Sequence, residues 1–133
     1  MARGDLGHVG LPASARLIAA GLGWRIDRLT ETTRPVLGPD GRSQGARQRL
    51  RAIADDGEHR IDLDLTIAVD ARPSGDTVWL DGTPPLRWTT RPATAGDEAT
   101  AALVVNSLGG LAALAPGLRT VVDLVPLRFH GRL

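Results

Sequence analysis

Residues 59–70, His-Arg-Ile-Asp-Leu-Asp-Leu-Thr-Ile-Ala-Val-Asp, decide the fold. Ile61, Leu63, Leu65, Ile67 and Val69 alternate with Asp62, Asp64, Thr66 and Ala68. A period of two predicts a strand with one buried face and one polar face. Immediately upstream, Ala46–Ala54 also reads as a strand, and Asp55-Asp56-Gly57 between the two is a hairpin connection. The hairpin places Arg47, Arg49 and Arg51 opposite Asp62 and Asp64.

Working outward, Trp24–Val36 reads as extended, with Trp24, Ile26 and Arg28 on one side. A loop at Gly38-Pro39-Asp40-Gly41 follows. Further on, Thr77–Asp81 and Leu86–Arg91 are strands around the Gly82-Thr83-Pro84-Pro85 turn. A first helix is predicted near 12–20, with Pro12 in its first turn, Leu17 and Ile18 facing inward, and Gly21 or Gly23 as the left-handed stop. Gly21-Leu22-Gly23 follows a helix and lacks the third glycine of a dinucleotide loop, so it reads as a helix end. A second helix is predicted from Asp97, read as its cap, to about Leu108 before Gly109-Gly110. A short helical piece over Leu111–Ala115 and an extended or irregular tail complete the chain. The fold expected is α+β, a mostly antiparallel four- to five-stranded sheet with two main helices on one face, in a single domain over 1–133. The helices would cover the Ile61/Leu63/Leu65/Ile67 side. A sheet with charges on its outer face needs no function to explain it. The alternative is the floor of a pocket or a homodimer contact, with Trp79 and Trp88 as its apolar part.

Composition removes several chemistries. The 133 residues contain no Cys, no Tyr and no Lys; all 16 basic residues are Arg. Thiolate nucleophiles, disulfides, lysine Schiff bases and phenolic acid–base catalysis are therefore excluded. His8, His59, His130 and 15 carboxylates remain for proton transfer. The three His show no metal-ligand spacing, and no serine sits in a nucleophile elbow. A net charge of +1 argues against nucleic acid as a partner. No apolar run approaches the roughly 20 residues that span a bilayer, and no signal peptide opens the chain. A cytoplasmic protein with no membrane partner is expected.

A set of short stretches adds a resemblance. Gly7-His8-Val9-Gly10-Leu11-Pro12-Ala13-Ser14, then Ala20-Gly21-Leu22-Gly23-Trp24 and Glu31-Thr32, are followed by Asp81-Gly82-Thr83-Pro84, Ala99-Thr100-Ala101, Val105-Asn106-Ser107 and Pro116-Gly117-Leu118 with Thr120 and Asp123-Leu124. In this order and spacing, over about residues 6–126, the chain resembles the C-terminal domain of the NAD(P)-dependent amine dehydrogenases related to 2,4-diaminopentanoate dehydrogenase and dihydrodipicolinate reductase. The resemblance implies an α+β domain that receives substrate and builds oligomer contacts, while an N-terminal Rossmann domain holds the nicotinamide. No strand–Gly-x-Gly-x-x-Gly–helix unit occurs here, so independent NAD binding is not expected. The chain departs from the family pattern at Ala13, where glutamate is usual, at Leu108-Gly109-Gly110, where Ile-Pro is common, and in a shortened segment between Val36 and Ala46. These departures point to a repurposed pocket.

The site residues follow. His8, ahead of the first helix, is a general acid or base, and Ser14 with the helix's free N–H groups is an oxyanion or carboxylate donor. Asp62 and Asp64 are further catalytic candidates. Arg47, Arg49 and Arg51 are substrate clamps or cross-strand ion-pair partners, and Trp79, Trp88 and Asn106 shape a cavity. The leading expectation is a cofactor-independent enzyme of isomerase, cyclase or lyase type, acting as a homodimer on a small molecule without metal or cofactor. The alternatives are the substrate-binding subunit of a split NAD(P)-dependent dehydrogenase with a separate Rossmann-domain subunit, or a non-catalytic assembly module.

Overall fold

A computed structural model describes residues 10–69 and 71–124. The chain divides into two compact units, Met1–Ala71 and Arg72–Leu133.

The first unit contains helix α1 (Leu11–Leu22) and strands β1 (Ile26–Leu37), β2 (Ser43–Ala54) and β3 (Arg60–Ala68), in an antiparallel sheet of order β1-β2-β3. Helix α1 ends where glycine permits a left-handed residue. Gly23 has φ 72°, its N–H donates to the Ala20 carbonyl, and the Trp24 N–H reaches back to Ala19 at 2.8 Å. The helix buries Leu11, Ala15 and Ala19, four residues apart, while Leu17 and Ile18 are 42% and 40% exposed. The inward face is therefore the small one, not the Leu17/Ile18 face expected. Alanine lets the helix lie close on the sheet, and Leu50, Ala52 and Ile61 meet it from below.

The sheet follows the alternation of the sequence. Leu50 pairs with Leu63 and Ala52 with Ile61 on the helix side, whereas Arg49 pairs with Asp64 and Arg51 with Asp62 on the other. Burial by the helix stops short of the sheet's end: Ile61 is buried, Leu63 and Leu65 are half-buried, and Ile67 is 55% exposed. One correction concerns β1. Its register shifts between Ile26, opposite Ala54, and Arg28, opposite Ile53. This extra residue moves Arg28 to the face opposite Ile26.

The second unit holds the hairpin β4 (Asp76–Leu80) and β5 (Leu86–Thr90), helix α2 (Gly96–Leu111) and a 3-10 turn at Val121–Asp123. The five strands are all antiparallel but form two sheets, of three and two strands, rather than one. Pro73 in the connection has no N–H to extend the β3 ladder, and β4 pairs across its own turn with β5. Helix α2 starts from Ala95, and Asp97 lies inside its first turn rather than capping it. It also runs past Gly109 and Gly110 to Leu111, where turns replace the further helical piece expected. No described residue of this unit is buried.

Candidate functional site

The hairpin of β2 and β3 assembles five of the ten sequence-predicted residues on the outer face of the three-stranded sheet. Arg47 grips Asp64 with two bonds, Nε to Oδ1 at 2.9 Å and Nη2 to Oδ2 at 2.6 Å. Arg49 donates Nε to the same carboxylate at 3.0 Å. Asp62 is shared in the same way, receiving Arg51 Nε at 2.6 Å and facing Arg60 Nε at 3.3 Å. Each aspartate thus sits between two guanidinium groups. The bonds from Arg47, ahead of those from Arg49, hold the Asp64 carboxyl below its usual range, partly offset by desolvation. Arg47 and Arg51 are held protonated beyond their already high range by the bonds to Asp64 and Asp62. At neutral pH this array presents fixed charge: Asp64 accepts hydrogen bonds and has no proton to give.

The other candidates are placed differently. His8 lies outside the described residues, as does His130. Ser14 is exposed in the first turn of α1, and its backbone N–H is already bonded to the Gly10 carbonyl at 2.9 Å. It is therefore not one of the helix's free N–H groups, because Gly10 is the cap and the i to i−4 ladder begins at Ser14. In the second unit, Val78 pairs with Trp88 and Trp79 with Arg87. Adjacent pairs point to opposite faces, so Trp79 and Trp88 do not line one surface together. Trp79 carries the Arg87 guanidinium 5.5 Å from its ring centre. Asn106 is half-exposed in α2.

Two polar centres went unnoticed in the sequence. Asp56 caps the β2–β3 turn: Oδ1 accepts the N–H groups of Glu58 and His59 at 2.9 and 3.0 Å, and Oδ2 meets His59 Nδ1. The His59 side-chain bond, followed by the two backbone bonds, lowers the Asp56 carboxyl to about 2. The His59 ring also rests on Trp24, 4.5 Å between centres. The signal was present in Asp56-Gly57-Glu58-His59, an aspartate starting a turn two residues before the next free N–H. In the second unit, Asp76 Oδ2 collects the Thr94 N–H and hydroxyl, both at 2.8 Å, and the Thr90 hydroxyl at 3.3 Å. Those bonds, the Thr94 N–H first, lower its carboxyl.

The depression beside α1, lined by Trp24, Ile26, Ala52, His59 and Ile61, offers about 150 Å³ open to solvent and no room to enclose a water molecule. Among the described residues, no three His, Asp or Glu side chains gather as metal ligands. Nor is any helix there long and apolar enough to cross a membrane.

Comparison with known proteins supplies what local geometry does not. The family model described as the 2,4-diaminopentanoate dehydrogenase C-terminal domain matches residues 2–130. A curated 2,4-diaminopentanoate dehydrogenase from Acetoanaerobium sticklandii is 28% identical over 141 residues, covering 94% of this chain and 40% of that protein. The solved structure of an amine dehydrogenase from Mycobacterium smegmatis has the same fold over 85% of this chain and 37% of that one, with a TM-score of 0.70 at 21% identity. The chain spans about two-fifths of the length of these relatives.

Proposed function

The chain belongs to the 2,4-diaminopentanoate dehydrogenase C-terminal domain family, and from that premise we propose that it is the substrate-side part of an NAD(P)-dependent amine dehydrogenase. The observation that carries this reading is the family match over residues 2–130, together with coverage of only 40% of the A. sticklandii enzyme. The architecture is consistent with it. Every described strand pairs antiparallel, so the described residues contain no parallel strand–turn–helix unit to cradle a dinucleotide pyrophosphate. The nucleotide is therefore assigned to a Rossmann domain outside these 133 residues.

Within this reading the chain's role is to bind and orient an amino-acid-like amine. Ser14, in the first turn of α1, and His8, six residues before it in the sequence, are the proposed substrate contacts. Asp62 and Asp64 hold the arginines in place through their ion pairs. The family match favours this reading over a cofactor-independent isomerase, cyclase or lyase. A homodimer belongs to the proposal too, tested by light scattering at micromolar concentration.

The direct check is a fluorescence titration of NADPH with the 133-residue chain alone. The proposal predicts no saturable change. Stoichiometric uptake of the nucleotide overturns it.

A further inference from the structure

Aspartate precedes glycine at three places in the chain: Asp40-Gly41, Asp56-Gly57 and Asp81-Gly82. Such a step is where a polypeptide rearranges most readily, because no β-carbon beside the glycine nitrogen hinders its attack on the aspartate Cγ. The fold treats the three steps differently. At the first, the Gly41 N–H donates to the Gly38 carbonyl at 3.0 Å. Asp40 Oδ1 accepts the Arg42 N–H at 3.1 Å, and Arg42 Nε stands 3.8 Å from Oδ2. At the second, the Gly57 N–H donates to the Ala54 carbonyl at 3.0 Å, and the Asp56 carboxylate is held by the His59 ring and by the N–H groups of Glu58 and His59. That carboxyl, lowered to about 2, is ionised at neutral pH, and a carboxylate resists nucleophilic attack. In both steps nucleophile and electrophile are engaged elsewhere. Asp81-Gly82, in the turn between β4 and β5, has neither restraint. Among the described residues, the Gly82 N–H donates no hydrogen bond and the Asp81 carboxylate enters no hydrogen bond or ion pair. Residues 81–85 are all exposed, a β-carbon on Gly82 would meet nothing within 4 Å, and the ladder ends at the Leu80–Leu86 pair. The tip of this turn is therefore free to bring the glycine nitrogen onto Cγ.

We propose that Asp81-Gly82 is a covalent modification site, where the chain rearranges to an isoaspartyl linkage that a carboxyl methyltransferase recognises. The Gly82 nitrogen bonds to Asp81 Cγ, and its proton leaves with the carboxyl hydroxyl as one water, closing a cyclic imide. Water then adds to one of the two imide carbonyls. Opening at Cγ restores aspartate. Opening at the Asp81 main-chain carbonyl leaves the chain running through Cβ and Cγ and frees the α-carboxylate. S-adenosylmethionine supplies that carboxylate with a methyl group, giving an ester and S-adenosylhomocysteine. The Gly82 nitrogen next displaces methanol from the ester and returns the step to the imide. This inference is independent of the dehydrogenase reading, because it rests only on the bonds made at the three Asp-Gly steps.

The test ages the full chain at neutral pH and physiological temperature, folded in buffer and unfolded in urea. Trypsin separates the three steps onto fragments 29–42, 52–60 and 61–87, cutting after arginine but not before proline. Isoaspartate is read in each fragment by electron-transfer mass spectrometry and by labelled methyl uptake from S-adenosylmethionine with a purified isoaspartyl methyltransferase. In the folded chain, the account predicts isoaspartate in 61–87 at least about tenfold faster than in the other two fragments, since their hydrogen bonds must break first. In urea the three rates converge. Asp81→Glu, whose longer side chain closes the ring poorly, loses the signal in 61–87 and melts as the parent does, because Asp81 holds no bond among the described residues. Equal rates in the folded chain, a lead for 61–87 that persists unchanged in urea, or methyl uptake undiminished in Asp81→Glu overturns the proposal.

Discussion

Asp56 holds the β2–β3 turn with both carboxylate oxygens, and its acidity records the hold. Its carboxyl lies at about 2 instead of the ordinary 3.8. A lowered folded-state value stabilises the fold above the unfolded value and loses that contribution as pH falls through the folded one. Asp56→Asn is therefore predicted to melt at a lower temperature than the parent at pH 6. The gap closes between about pH 4 and pH 2, as thermal denaturation of both proteins across that range will show. The ladder at Asp62 and Asp64 was legible before the structure because alternation in β3 and a short turn at 55–57 leave only one register to choose. The Asp56 hold was not, since Asp55 and Asp56 are equivalent in sequence and only the positive φ of Gly57 decides which one faces the turn's N–H groups.

At the scale of the elements, close approach governs what each position tolerates. Gly45 in β2 sits against β3 so tightly that a β-carbon there would meet the Ile67 carbonyl at 2.1 Å and the Ala68 Cα at 2.5 Å. Both contacts are backbone, so the strands must part. Gly45→Ala is predicted to cost about 1–3 kcal/mol in urea unfolding. Leu50, 2% exposed, is the largest side chain of β2 against the helix, and Leu50→Ala is predicted to cost about 2–5 kcal/mol by the same measurement. Periodicity found the strands well but misjudged α1. Leu17 and Ile18 are the more hydrophobic pair, yet Leu11, Ala15 and Ala19 share the face that lies on the sheet. Hydrophobicity alone favours the large residues, whereas the closeness of helix and sheet favours the small ones. The register shift in β1 was invisible for a related reason: an inserted residue leaves composition unchanged and shows only in the pairing. In the second unit, β4 and β5 are expected in the main sheet because strands following in sequence usually pair, but Pro73 before β4 has no N–H to give the β3 ladder and the two strands pair with each other.

On the scale of the molecule, the family assignment and the charge pattern address different surfaces. The first supports the proposal of an amine substrate and a nucleotide held outside this chain. The second describes the outer face of the three-stranded sheet, where six arginines face two aspartates. Both were only partly legible: ordered short motifs over 6–126 revealed the relationship, but the surplus of guanidinium groups appears only when β1 is laid beside β2. The measurement that bears most directly on the central claim is absorbance at 340 nm with 2,4-diaminopentanoate, NAD(P)+ and this chain, with and without a Rossmann-domain polypeptide from its own source organism. The account predicts NAD(P)H formation only when both polypeptides are present. Formation of NAD(P)H by the chain alone, or a stable complex of the two that forms none with any amino-acid amine, would contradict it.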